Sequence, residues 1–161
     1  MAPPRKALIA VTSAHAPLYP GGKETGVFIT EALHPFDVFK QAGFDVDLVS
    51  ETGTYQPDWL SQQEDWLNGE DRETWEDESS EFRTKMEHLK RPVDVDPENV
   101  SYRNRRASKR DRRRDVIDLL DQYGIFFASA GHASLIDYPN AKGLQGVASD
   151  MYGQGGIVSA V

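Results

Sequence analysis

Leu8-Ile-Ala-Val-Thr-Ser13 is a short apolar run that ends in a polar loop, and Phe44-Asp-Val-Asp-Leu-Val-Ser50 alternates into a second one. Both read as strands. Between them, Gly26 to Gly43 places Val27, Phe28, Ala32, Leu33, Phe36 and Phe39 at helical spacing, and Gly43 suits the position after a helix where φ is positive. The stretch is a strand, helix, strand unit. A third apolar run, Ile125-Phe-Phe-Ala-Ser-Ala, leads into Gly131-His132, and a fourth, Gly156-Ile-Val-Ser-Ala-Val161, follows a helix predicted over Asn140 to Tyr152. Short apolar strands alternating with amphipathic helices predict an α/β fold, a parallel sheet covered by helices on both faces.

The intervening segments depart from this pattern. Gln56 to Arg91 is acidic, holds Trp59, Trp66 and Trp75, and has no strand-like run, so short helices are expected. It reads either as a small cap docked on the core by its tryptophans or as a solvated helical excursion. Val100 to Asp115 departs the other way, gathering eight of the 18 bases, among them Arg103, Arg105, Arg106 and Lys109. A nucleic-acid patch, a kinase site at Arg105-Arg106-Ala107-Ser108 and a solvated basic helix are the readings its residues offer.

Composition excludes several classes. The chain has 161 residues, 39% of them hydrophobic and 27% charged, which suits one globular domain. It has no Cys, so disulfides, thiolate metal ligands and a cysteine nucleophile are absent from it. No apolar run approaches the ~20 residues of a membrane-spanning helix, and the first residues do not read as a secretory signal, so a cytoplasmic location away from membranes is expected. A net charge of −8 argues against nucleic acid as a partner. His15, His34, His88 and His132 lack paired metal spacing, so no metal site is expected. Asn99-Val100-Ser101 is a glycosylation sequon without a secretory context, and Gly153-Gln-Gly-Gly156 precedes a strand, whereas a phosphate loop must follow one.

Two places carry chemistry. Pro35 lies inside the first helix, removes one donor and clashes with the carbonyl of Glu31, so a kink is expected there. A carboxylate beside Ile29, Ala32 and Leu33 has its pKa raised if buried and then serves as a proton carrier; the ordinary alternative is a partly exposed Glu near a helix start. Ser129-Ala-Gly131-His132 follows a buried strand, at the edge of a parallel sheet where ligands bind. Backbone amides of that turn suit a developing oxyanion; a plain strand-to-loop turn is the alternative.

The order of these segments resembles the ThiJ/PfpI superfamily, which has the class I glutamine amidotransferase-like fold, in its glyoxalase III-like branch with small fungal chaperone-like D-lactate dehydratases. The matching stretches are Ala7 to Ser13, Thr25-Gly-Val-Phe-Ile-Thr-Glu-Ala-Leu-His-Pro-Phe36, Gly43 to Gly53, Ile125-Phe-Phe-Ala-Ser-Ala-Gly-His132 and Asp137-Tyr-Pro139. The resemblance implies a flavodoxin-like sheet sandwiched by helices, with residues 56–91 as an acidic cap insert in a single domain over 1–161. It implies Glu31 as the catalytic proton carrier, Gly131 and His132 as the oxyanion and substrate-binding loop, no cofactor and no metal. The substrate would be a small 2-oxoaldehyde such as methylglyoxal, converted to lactate, and the chain would form homodimers. A low-pKa thiolate would attack the aldehyde while Glu31 moved protons.

In the resemblance the nucleophilic Cys follows a strand ending in Ala-Val, which Gly156 to Val161 matches. The expectation is therefore a chain that stops just before its nucleophile, lacks the C-terminal part of the fold and is inactive as it stands. The branch passes directly from an Asp-Pro-Glu-Asn stretch into Tyr-x-Ile-Phe-Phe, so residues 100–122 are expected to be an anomalous insert. Val-Ser and Gln can be encoded by the two ends of a short intron, and a retained intron is the reading. Two other functions stay open: a stress-associated holdase acting through exposed apolar surface, and a non-catalytic fragment.

Overall fold

The computed structural model describes residues 5–96 and 122–161, so the basic insert expected at 100–122 lies, except for its last residue, outside the described residues. The sequon at Asn99 does too. The main sheet holds four parallel strands in the order β4-β1-β5-β6: β1 Lys6–Ala10, β4 Asp45–Val49, β5 Ile125–Ala128 and β6 Ile157–Ala160. All of the strands expected from the sequence are in it. β1 is central and buried on both faces, which is why it reads as an unbroken apolar run.

Its residues alternate between two cores. Ala7, Ile9 and Val11 join α1 Ile29–Gln41 on one face, whereas Leu8 and Ala10 join α6 Lys142–Gly153 on the other. The first connection, β1 to β4, runs to one side of β1, and the second, β5 to β6, runs to the other. The strand order therefore reverses between β1 and β5, which opens a crevice outside their carboxyl ends.

Helix α1 buries Ile29, Ala32, Leu33 and Phe36, one stripe of a helix, and it runs unbroken through Pro35. Its end is set by Gly43 at φ +82. There the Gly43 amide donates to the Lys40 carbonyl and the Phe44 amide to that of Phe39, while the Phe39 and Phe44 rings pack 5.9 Å apart. Both hydrogen bonds and the apolar contact of a Schellman stop are present. Helix α6 is capped from a distance: the Glu51 carboxylate, just beyond β4, accepts from the Gly143 and Leu144 amides at 2.9 Å each.

Two features are beyond the periodicity of the sequence. One is an antiparallel hairpin, β2 Ala16–Tyr19 and β3 Lys23–Thr25, turned by Gly21 and Gly22 with φ +76 at both. The other is the route of residues 56–91, which form α2 Gly69–Glu76 and α3 Glu81–Glu87 and bury Leu67, Trp75, Phe82, Met86 and Leu89 in the α1-side core. The short helix α4 Pro92–Val95 follows. Lys90 bonds the outer edge of β4 through Leu48 and Ser50, so part of that edge is covered.

The three tryptophans have separate partners. Trp75 packs on Tyr55 and Phe82 under Arg83, Trp59 on Tyr19 under Lys23, and Trp66 meets Phe28 edge-on at 5.4 Å while staying 51% exposed.

Candidate active site at the carboxyl edge of the sheet

Glu31 stands in the first turn of α1, and Gly131 lies in the turn that follows β5. The structure brings them together. Gly131 has φ +112, and a Cβ built on it would lie 3.5 Å from Glu31 Oε2, 3.4 Å from Phe28 Cβ and 3.6 Å from the Gly26 carbonyl oxygen. The positive φ, rather than the closeness, is what calls for a glycine in this turn. At Gly26 the lack of a side chain is a matter of space: a Cβ there would clash with the Gln56 carbonyl oxygen, where the chain leading into α2 pairs with Val27.

Glu31 Oε2 is buried with no hydrogen-bond partner among the described residues. Burial pushes its carboxyl above the ordinary range, His132 nearby opposes the shift, and the negative charge of Asp58 adds to it. Asp58 itself is fully buried and serves as an anchor. It accepts from Tyr19 Oη, Thr25 Oγ1, and the Gly26 and Ser61 amides, and so fastens hairpin and cap segment to the start of α1.

The turn after β5 is held from its far end. Asp137, in α5 Ser134–Asp137, accepts from Thr12 Oγ1 at 2.8 Å and from the Ser13 amide at 2.7 Å, tying α5 to the loop after β1. Tyr138 Oη donates to the carbonyls of Ser129 and Ala10 across the ends of both strands. These contacts explain why Asp137 and Tyr138 belong to the recognisable sequence pattern. They hold the turn against Glu31 and leave the Gly131 and His132 amides without a described acceptor. On the other side of Asp137, an open pocket of about 370 Å³ is lined by Ser13, Glu51, Thr52, Asp137 and Asn140 and by none of Glu31, Gly131 and His132.

Glu31, Gly131 and His132 thus share one place. The other histidines are elsewhere: His15 bonds Glu24, His34 bonds Asp71 and His88 bonds the Thr84 carbonyl. Among the described residues no group of three His, Cys, Asp or Glu is placed to hold a metal, and no helix is long and apolar enough to cross a membrane. Sequence reasoning did not single out Asp58, Tyr138 or Thr12, whose roles depend on long-range contacts, nor the Ser129 side chain.

No protein-family model matches the chain. It is 44% identical over 156 residues to Glyoxalase 3 of Candida albicans, which covers 97% of this chain and 56% of that protein. It is 42% identical over 158 residues to a glutathione-independent glyoxalase of Saccharomyces cerevisiae, 98% of this chain and 57% of that one. The crystal structure of glyoxalase III from Candida albicans matches with a TM-score of 0.77 over 96% of this chain and 55% of that one. The 24 kDa rapid encystment protein of Francisella tularensis, at 18% identity and a TM-score of 0.66, shares the fold. The chain spans little more than half the length of the curated relatives it matches.

Proposed function

We propose that this chain, a homologue of the glutathione-independent glyoxalases over nearly its whole length, carries the proton-transfer and oxyanion-binding half of a site that converts methylglyoxal to D-lactate. The observation that carries the reading is the half-buried Glu31 carboxyl, raised in pKa, whose Oε2 has no hydrogen-bond partner among the described residues and lies beside a turn whose Gly131 and His132 amides have no described acceptor. A carboxyl shifted upward holds a proton more readily than an ordinary exposed carboxylate, which suits it to moving one. In the proposed reaction a thiolate adds to the aldehyde carbon and its oxygen takes up negative charge at the Gly131 and His132 amides. Glu31 removes the proton from that carbon and returns it to the neighbouring carbonyl carbon. Water then releases the acid. One carbon is oxidised and its neighbour reduced, so the balance needs no redox cofactor.

Residues 1–161 contain no cysteine. The thiol therefore has to come from outside them, and the 161-residue chain by itself forms no lactate. Residues 56–91 act as a cap over the α1 side of the core, and a homodimer in the cytoplasm completes the reading by resemblance. The test is a chimera that continues from Val161 with the part of the Candida albicans relative outside the matched stretch. Glutathione-independent lactate formation by the chimera, lost in its E31Q variant and absent from the chain alone, is the expected result. A folded chimera without activity, or full activity in E31Q, overturns the reading.

A holdase is the second reading, favoured by exposed apolar residues such as Leu18, Val38 and Trp66. Suppression of client aggregation by the chain and equally by E31Q would support it, because apolar capture needs no carboxyl group.

A further inference from the structure

Helix α1 carries Glu31 in its first turn but has no side-chain cap of its own. Phe28 stands at the position before the helix, where a Ser, Thr, Asp or Asn would accept from a free amide, and its side chain accepts nothing. The start of the helix is fixed from outside instead. The Val27 amide donates to the Gln56 carbonyl at 2.8 Å, the Asp58 amide to the Val27 carbonyl at 2.9 Å, and the Gly26 amide to Asp58 Oδ2 at 3.3 Å. The Gly26 carbonyl oxygen in turn lies 3.6 Å from the Cβ position of Gly131, which is 3.5 Å from Glu31 Oε2. An unbroken run of contacts therefore joins Asp58 to the candidate site.

An anchor does not need the charge that Asp58 buries. Asp58 is 0% exposed, and its carboxylate accepts from the hydroxyls of Tyr19 and Thr25 and the amides of Gly26 and Ser61, with no Lys, Arg or His among those partners. A charge buried without a counter-ion is costly. Three of the four bonds end on Oδ2, so an asparagine oxygen would accept them without that cost. Glu31 is a carboxyl on which the charge acts: burial and the negative charge of Asp58 both disfavour its ionised form, and His132 in the facing turn opposes them. On the same helix His34 is engaged by Asp71, and Tyr19, which bonds Asp58, is pushed up to about 12 and stays neutral.

We propose that Asp58 is a positioning residue for Glu31: it holds the start of α1 against the Gly131 turn and presents a fixed negative charge to the Glu31 carboxyl, so that this carboxyl is set to hold a proton and pass it on. The use of that proton in a reaction rests on the glyoxalase reading, whereas the action of Asp58 on Glu31 does not.

The test is a carbon NMR titration of the Glu31 carboxyl in the 161-residue chain, with E31Q to assign it. In D58N the midpoint is expected to fall by on the order of half a unit, because one negative charge is gone. T25V removes a buried hydrogen bond from the same anchor and keeps the charge, so its midpoint is expected to stay with that of the parent while its stability drops. A purely structural Asp58 would make both variants move the midpoint alike, or neither, and either result overturns the proposal. Should D58N not fold, D58S, which also removes the charge and keeps a short acceptor, gives the same readings. The pH profile of lactate formation by the chimera separates this proposal from the glyoxalase reading. A D58N profile displaced along with the titration supports both. A displaced titration with an unmoved profile in an active chimera keeps Asp58 as the partner of Glu31 and removes Glu31 as the proton carrier. An inactive chimera fails the glyoxalase reading, and the titration still decides the role of Asp58.

Discussion

Glu31 Oε2 lies 3.5 Å from where a Cβ would be on Gly131, so the first turn of α1 and the turn after β5 meet at van der Waals distance. Substitution is disfavoured by the positive φ at Gly131, a conformation that a residue with a side chain adopts only under strain. G131A is expected to cost on the order of 1–3 kcal/mol, measured by urea unfolding. It should also raise the Glu31 pKa further, by excluding water from the carboxyl. Parent-like stability and titration would mean that the turn is free to move away.

E31Q should stabilise the fold at neutral pH. A carboxyl whose folded pKa is raised binds more protons folded than unfolded, so stability falls as pH rises from the ordinary carboxylate range through the raised value. Removing the charge removes that loss. A gain at neutral pH that vanishes in acid is expected from thermal unfolding across pH. An equal gain at every pH would place the effect outside ionisation.

The opposite sign applies at Asp47. Burial raises its pKa, but hydrogen bonds from Tyr123, Lys6, Lys90 and Lys85 outweigh burial and hold it well below the usual range. Its contribution is present above the ordinary value and is lost as pH falls toward the lowered one. Y123F removes the buried donor at 2.7 Å and is expected to cost about 1–3 kcal/mol. D47N should flatten the acid limb of the stability profile. A D47N protein as acid-sensitive as the parent would refute this.

Tyr19 reports on Asp58. Burial, the hydrogen bond to Asp58 and that carboxylate's charge push the Tyr19 phenol up to about 12. D58N removes the charge, so the Tyr19 pKa should fall toward its ordinary value while the hairpin loosens. Absorbance titration of D58N against the parent, with Y19F to identify the residue, checks this. No change would mean that burial alone sets the shift.

The sequence by itself determined the α/β class, the strands at 6–10, 45–49, 125–128 and 157–160, the helix between the first two and the candidacy of Glu31, Gly131 and His132. It could do so because burial of β1 on both faces, the stripe Ile29, Ala32, Leu33, Phe36 and the Gly43 stop are local patterns with fixed periods. The residues alone left Glu31 balanced between proton carrier and ordinary surface carboxylate, because desolvation is not written in neighbours along the chain. Only the tertiary structure decided that Oε2 is buried against Gly131, that Asp58 ties Tyr19, Thr25 and Gly26 together, and that Asp137 and Tyr138 hold the turn from behind. Apart from the Tyr138–Ser129 bond, which spans nine positions, those contacts join residues from 32 to 125 positions apart. No periodicity reports them, since they exist only once the sheet has set β1 beside β5 and α1 above both.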